Sequence, residues 1–169
     1  SELAPLSTLR LMELVHEAGF PAGVVNVVIG GPEVGAALVR HPGVRKVAFT
    51  GQTATGKEIM RTAIDGLKRV TLELGGKSPN IVFADANLDA AASGAFGGAF
   101  FNQGQACVAG SRLFVEASVA EELVARVSEQ AGAVKLGSGL DPDTQMGPLI
   151  SAAHRSRVKG YVAAAREQG

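Results

Sequence analysis

Apolar residues change their spacing repeatedly along this chain, and each change marks an element. Leu9, Met12 and Val15 recur at helical intervals, which predicts a helix from Ser7, a capping residue, to about Ala18. Gly19 is the expected stop and Pro21 reinforces it. Val24 to Ile29 is a short β-branched run and reads as a buried strand of a parallel sheet. Pro32 and Glu33 suit the first turn of a helix that runs to about Arg40, because Pro42 disfavours helix at His41. A second strand is predicted at Arg45 to Thr50, a third helix from the Gly51–Gly56 turn to about Ile64, and a third strand at Arg69 to Leu74. Strands alternating with helices at this spacing read as successive βαβ units with right-handed crossovers, half of a doubly wound nucleotide-binding sheet.

The rhythm then breaks. Asn80 to Ala84 reads as a strand too close to the previous one for a helical crossover, so a domain boundary is expected near Gly75-Gly76. Asn87 can cap a small-residue helix from Leu88 to Phe101. A strand at Arg112 to Val115 follows, and then a helix from Ser118 to about Gly132 with Val119, Leu123, Val127 and Ala131 along one side. Val134 to Leu136 reads as a short strand and Gly137 to Pro148 as an irregular connection. A last helix is expected from Ser151 to about Gln168. The class is α/β.

Composition narrows the picture. Sixteen basic and sixteen acidic residues leave no net charge, so no basic field argues for nucleic acid or an anionic membrane. No apolar run approaches the roughly 20 residues that span a bilayer. The one cysteine cannot form an internal disulfide, which fits a reducing, cytoplasmic setting. No His/Cys/Asp/Glu spacing suggests a metal site, and His16, His41 and His154 read as structural. Beginning at Ser1 without methionine, and ending at Gly169 after an amphipathic stretch, the chain reads as an internal piece of a longer protein.

Two stretches carry candidate chemistry. Glu73 ends an apolar, β-branched run just before Gly75-Gly76, at the carboxyl edge of a parallel strand where open α/β sheets place ligands. Cys107 follows Asn102-Gln103-Gly104-Gln105, a loop supplying amides and backbone freedom that a core cysteine has no use for. Inert packing remains the ordinary role of a lone cysteine. Together the two side chains offer a general base and a thiol nucleophile. Gly51 to Lys57 is Gly-x-x-x-x-Gly-Lys between a strand and a helix, able to bring amides up to a phosphate. A P-loop needs Ser or Thr after the lysine; here Glu58 stands there and would repel phosphate. The Gly-x-Gly-x-x-Gly fingerprint is absent.

Leu72-Glu73-Leu74-Gly75-Gly76-Lys77-Ser78-Pro79 and Phe101-Asn102-Gln103-Gly104-Gln105-Ala106-Cys107, with Glu73 and Cys107 separated by 34 residues, closely resemble the aldehyde dehydrogenase superfamily. Phe49-Thr50-Gly51 with Gly56 resembles its nucleotide-binding turn. The resemblance covers essentially the whole chain. It implies residues 1–75 as part of an NAD(P)-binding domain and 76–169 as part of a catalytic, thiol-bearing domain. It further implies oxidation of a small-molecule aldehyde through a thiohemiacetal and thioester on Cys107, with Glu73 as the base for hydrolysis. Glu2, Gly51, Gln52, Thr53, Gly56 and Leu74 are implied as cofactor-binding. A carboxylate at Glu2 would repel a 2′-phosphate, which favours NAD over NADP while leaving NADP possible. Gln52 stands where many members have Ser, so its pyrophosphate contact is an open point. The resemblance also implies a homo-oligomeric parent, further cofactor and oxyanion groups outside this stretch, and an isolated segment without activity. A catalytically silent binding or structural homologue is the first alternative, and an NTPase built on Gly51–Lys57 the second.

Overall fold

The computed structural model describes residues 1–169. The chain divides into two compact units, Ser1–Leu74 and Gly75–Gly169. The elements of the first are α1 (Leu6–Glu17), α2 (Pro32–Arg40), β1 (Lys46–Gly51), α3 (Thr53–Ile64) and β2 (Arg69–Leu74). Those of the second are β3 (Pro79–Val82), α4 (Leu88–Gly104), β4 (Arg112–Val115), α5 (Ala120–Ala133) and α6 (Ala152–Gln168).

In the first unit β1 and β2 pair in parallel, with Lys46 opposite Arg69 and Gly51 opposite Leu74, and α3 forms the crossover between them. Burial alternates along β2, Val70, Leu72 and Leu74 lying inward and Arg69, Thr71 and Glu73 outward. This is the period of two that one covered face requires. Pro32 opens α2 without sacrificing a helical donor, and Val39 is the buried anchor of that helix.

The expected strand at Val24 to Ile29 does not form. Pro21 to Val24 instead closes a turn, the Val24 N–H donating to the Pro21 carbonyl at 3.2 Å with Gly23 at φ +83°. The Asn26 side chain donates back to the Gly23 carbonyl. Val24 and Val28 remain 63% and 64% exposed, and β1 has β2 as its one ladder partner. An apolar run becomes a parallel strand only when a neighbouring strand takes its amides and layers cover its faces; here neither is supplied. The three-strand expectation for this unit therefore contracts to two. Ser7 does not cap α1 either: the helix begins one residue earlier, after Pro5, with no side-chain cap.

The second unit contains a parallel β3–α4–β4 crossover, with Pro79 opposite Arg112 and Val82 opposite Val115. β3 ends two residues sooner than expected because its partner ends. Glu116 donates its N–H to the Val82 carbonyl, and its carboxylate takes the Ala84 N–H at 2.9 Å. Asn87 caps α4 as predicted, its Oδ1 accepting from the Ala90 N–H at 3.0 Å. Val82, Ala92 and Leu123 form the core where α4 and α5 cover the sheet, flanked by Ala91, Leu113 and Val127. The alanines of α4 permit that close approach, and the Leu123 side chain fills the space they leave. Arg126 on α5 pairs with Asp89 on α4 and with Glu122 on its own helix. The hydrogen bond to Glu122, and then that to Asp89, hold its guanidinium pKa above the ordinary arginine value.

Val134 to Leu136 makes no strand, only the single bridge Leu136–Met146. The Lys135 N–H is taken by the Gln145 side chain at 2.8 Å rather than by a neighbouring backbone, so no ladder extends. Ser151 caps α6, accepting from the His154 N–H at 3.1 Å. No helix is long and apolar enough to cross a membrane.

Candidate active site

In the first unit Gly51, Gln52, Thr53, Glu73 and Leu74 gather at the carboxyl edge of the sheet. Thr50 lies opposite Glu73 and Gly51 opposite Leu74, so the strand register sets Glu73 one residue from the Gly51–Gln52 turn. Glu73 is exposed on the outward row of β2 while Leu74 faces inward. Gln52 is extended and opens α3, and no side chain caps the helix. The first helical bond runs from the Gly56 N–H to the Gln52 carbonyl at 3.0 Å. The amides of Thr53, Ala54 and Thr55 come before it and have no helical acceptor, the arrangement that can hold an anion.

Gly56 is buried inside α3. A methyl group there would lie 2.8 Å from Leu74 Cδ2 and 3.5 Å from Leu72 Cδ1, so the glycine lets the helix settle onto β2 beneath the turn. It shapes the turn through packing. Glu58, where an NTPase needs a hydroxyl, pairs instead with Arg61 at 3.3 Å.

Sequence reasoning missed the wall beside this turn. Pro32, Ala36 and Val39 of α2 face Phe49 of β1 and Thr55 and Ile59 of α3 across a cleft of about 670 Å³, with Gln52 at its border. The small residues of α2, Gly35-Ala36-Ala37, were the available signal. A mostly apolar cleft joined to unpaired helix-terminal amides suits a flat base attached to a phosphate. Glu2 lies in the turn before α1, where the Leu3 N–H donates to the Ser1 hydroxyl, and is not among the residues of that wall.

In the second unit the loop carrying Cys107 is built on backbone strain. Regular α4 geometry stops at Phe101, at φ −50° and ψ 137°. Asn102, Gln103 and Gly104 then take φ values of +50°, +57° and +74° in succession. Left-handed conformations normally occur as single residues, most often Gly or Asn. The Gln105 side chain ties this turn together, donating to the Asn102 carbonyl at 3.1 Å and to Gln103 Oε1 at 3.3 Å. A second turn follows, closed by the Ala109 N–H donating to the Ala106 carbonyl at 3.2 Å. Cys107 sits at its corner and is exposed, while Ala109 behind it is buried. The chain is pinned beyond that, Gly110 N–H to the Gly98 carbonyl at 3.2 Å and Arg112 N–H to the Ser78 carbonyl at 3.3 Å. The result is a thiol projected from a fixed corner rather than packed into a core. A second cleft of about 500 Å³ runs alongside, lined by Phe96, Phe100, Phe101, Gln103 and Met146.

Structure therefore groups Glu73, Leu74, Gly51, Gln52, Thr53 and Gly56 within one unit and places Cys107 in the other.

The family model "Aldehyde dehydrogenase family" matches residues 1–169. The chain is 47% identical over its whole length to betaine aldehyde dehydrogenase 2 of Rhizobium meliloti, spanning 35% of that protein. It is 57% identical to retinal dehydrogenase 2 of Gallus gallus over 89% of its own length and 29% of the relative's. Among solved structures, betaine aldehyde dehydrogenase from Staphylococcus aureus, crystallised with NAD+, superposes with a TM-score of 0.94 at 42% identity. That match covers all of this chain and 34% of that one. The chain thus spans about a third of the length of these relatives. With its two motifs, their order and its whole backbone matched along every residue, the chain belongs to the aldehyde dehydrogenase family.

Proposed function

We propose that this chain supplies the nucleotide turn, the general base and the nucleophile of an enzyme that oxidises an aldehyde to a carboxylic acid with NAD. Residues 1–75 contribute to the cofactor-binding domain and 76–169 to the thiol-bearing one, and the setting is cytoplasmic. The observation that carries the reading is Cys107 held exposed at a pinned corner after a strained turn. Such strain gathers at functional sites, where the surrounding structure holds it in place.

The cofactor fits the residues present. The uncapped start of α3 would offer the Thr53 and Ala54 amides to a phosphate, and the adjoining apolar cleft would accept a base. NAD is the expected partner, because the Glu2 carboxylate disfavours the 2′-phosphate of NADP.

In the reaction, Cys107 gives its proton to solvent and Sγ adds to the aldehyde carbon. A C–S bond forms and the carbonyl π pair moves onto oxygen. The Cys107 N–H, which has no hydrogen-bond partner within the chain, is free to steady that oxygen; a donor in this role contributes about 3–4 kcal/mol in comparable sites. The oxygen pair would then re-form the C–O π bond as hydride leaves the carbon, giving a thioester on Sγ; NAD, when bound, would supply the hydride acceptor. Glu73 then takes a proton from water, the water oxygen adds to the thioester carbonyl, and the C–S bond breaks to release the acid. The aromatic lining of the cleft beside the thiol loop, Phe96, Phe100 and Phe101, supports an aldehyde with an apolar portion.

The test is an aldehyde panel assayed with NAD and NADP in parallel on the full-length protein that carries this chain. Aldehyde-dependent NADH formation is expected, together with loss of both turnover and thiol labelling in Cys107→Ala. Undiminished turnover in that variant would contradict the reading.

A further inference from the structure

We infer that Gly76 is a positioning residue for Cys107, whose main chain is seated directly against it. A Cβ built on Gly76 would lie 2.8 Å from the Cys107 carbonyl oxygen and touch nothing else within 4 Å. Ordinary contact begins near 3.4 Å, so a methyl group at this position displaces the thiol loop by roughly half an ångström. The obstacle is backbone, which cannot swing aside as the end of a long side chain can.

Conformational need does not explain the glycine. Gly76 is not among the positive-φ glycines, so alanine fits its dihedrals. Gly75 beside it meets nothing within 4 Å, so the requirement for space falls on one glycine of the pair. The contact is also held in register. Arg112 Nε donates to the Lys77 carbonyl at 2.8 Å, and the Arg112 N–H to the Ser78 carbonyl at 3.3 Å. Together they fasten the segment after Gly76 along the chain that leaves the Cys107 corner. The ladder between Pro79 and Arg112 continues the same alignment.

This assignment rests on the reading of Cys107 as a nucleophile at a carbonyl. Attack requires Sγ and the Cys107 N–H to meet the two ends of one carbonyl group, and both belong to the residue that Gly76 supports. A misplacement of about 1 Å at a reacting centre costs on the order of a hundredfold in rate; a shift half that size is expected to cost about tenfold. Alkylation of an exposed thiol by iodoacetamide has no carbonyl to align and escapes that loss.

The experiment compares wild type, Gly76→Ala and Gly75→Ala in the full-length protein. Three rates are measured: NAD-linked aldehyde oxidation, cofactor-free hydrolysis of 4-nitrophenyl acetate, and iodoacetamide alkylation of Cys107. Gly76→Ala is expected to lower kcat in both turnover assays about tenfold, with KM for NAD and the alkylation rate within about twofold of wild type. Gly75→Ala is expected to match wild type. Turnover by Gly76→Ala equal to that of Gly75→Ala would overturn the proposal, as would alkylation falling in step with turnover. Should Gly76→Ala fail to fold, Arg112→Gln removes the tether without adding an atom at residue 76. A several-fold loss of ester hydrolysis with alkylation unchanged is then expected, and no loss overturns the proposal. Ester hydrolysis without any aldehyde oxidation in wild type would refute the dehydrogenase reading and leave the Gly76 comparison intact.

Discussion

At the scale of single residues the chain concentrates its backbone strain just ahead of Cys107, the proposed nucleophile. Asn102 and Gly104 are residue types that tolerate left-handed geometry, whereas Gln103, at φ +57°, is not. A left-handed conformation costs an ordinary residue about 1–2 kcal/mol. Gln103→Gly is therefore expected to raise stability by about 1 kcal/mol, read from denaturant unfolding of the full-length protein. A fall instead would show that the Gln103–Gln105 side-chain bond at 3.3 Å outweighs the strain. The sequence made the loop legible through its amides and glycine. The run of three left-handed residues was hidden, because Gln103 carries no turn preference. Glu73 could be read as a strand-end carboxylate from the alternation of Val70, Leu72 and Leu74, and that alternation is what the structure displays.

At the scale of elements, the local cap signal held at Asn87 and failed at Ser7, and two apolar runs failed for want of a partner. Asn87 could be recognised as a cap because the stabilising amide lies three residues away. Asn87→Ala is expected to lower stability by about 1 kcal/mol, measured as a shift in the unfolding midpoint. Leu123 was legible from the apolar stripe of α5, and it is fully buried between that helix and its neighbours. Leu123→Ala is expected to cost about 2–5 kcal/mol; a loss under 1 kcal/mol would mean that the alanines of α4 close over the space. Val24 to Ile29 and Val134 to Leu136 carried the right composition for strands. Strand formation is a property of a pair, and neither run has a ladder partner. The apolar wall of α2 was missed for a related reason: its meaning comes from facing Phe49 and Ile59 across the cleft.

At the scale of the whole molecule, each unit holds a sheet of only two strands, and such sheets are marginal unless other layers cover them. Large apolar side chains stand open, Leu6 at 79%, Leu67 at 91% and Leu140 at 96% exposure. Exposure on this scale drives association in water. The 169-residue chain expressed by itself is therefore expected to be aggregated by light scattering and to form no NADH from aldehyde. A monodisperse, active preparation would refute that. The Gly51–Gln52 turn and the Cys107 corner are both within the chain, and the proposed reaction passes through one covalent intermediate, an acyl group on Cys107.

That intermediate gives the most direct test. Glu73→Gln in the full-length protein removes the proposed base for thioester hydrolysis, so steady turnover is expected to fall at least about a hundredfold. On mixing this variant with NAD and an aldehyde substrate, about one equivalent of NADH is predicted per subunit, with the acyl mass found by peptide mass spectrometry on the peptide containing Cys107. Sustained NADH formation with Cys107 unmodified, or an acyl group trapped on another residue, would contradict the account.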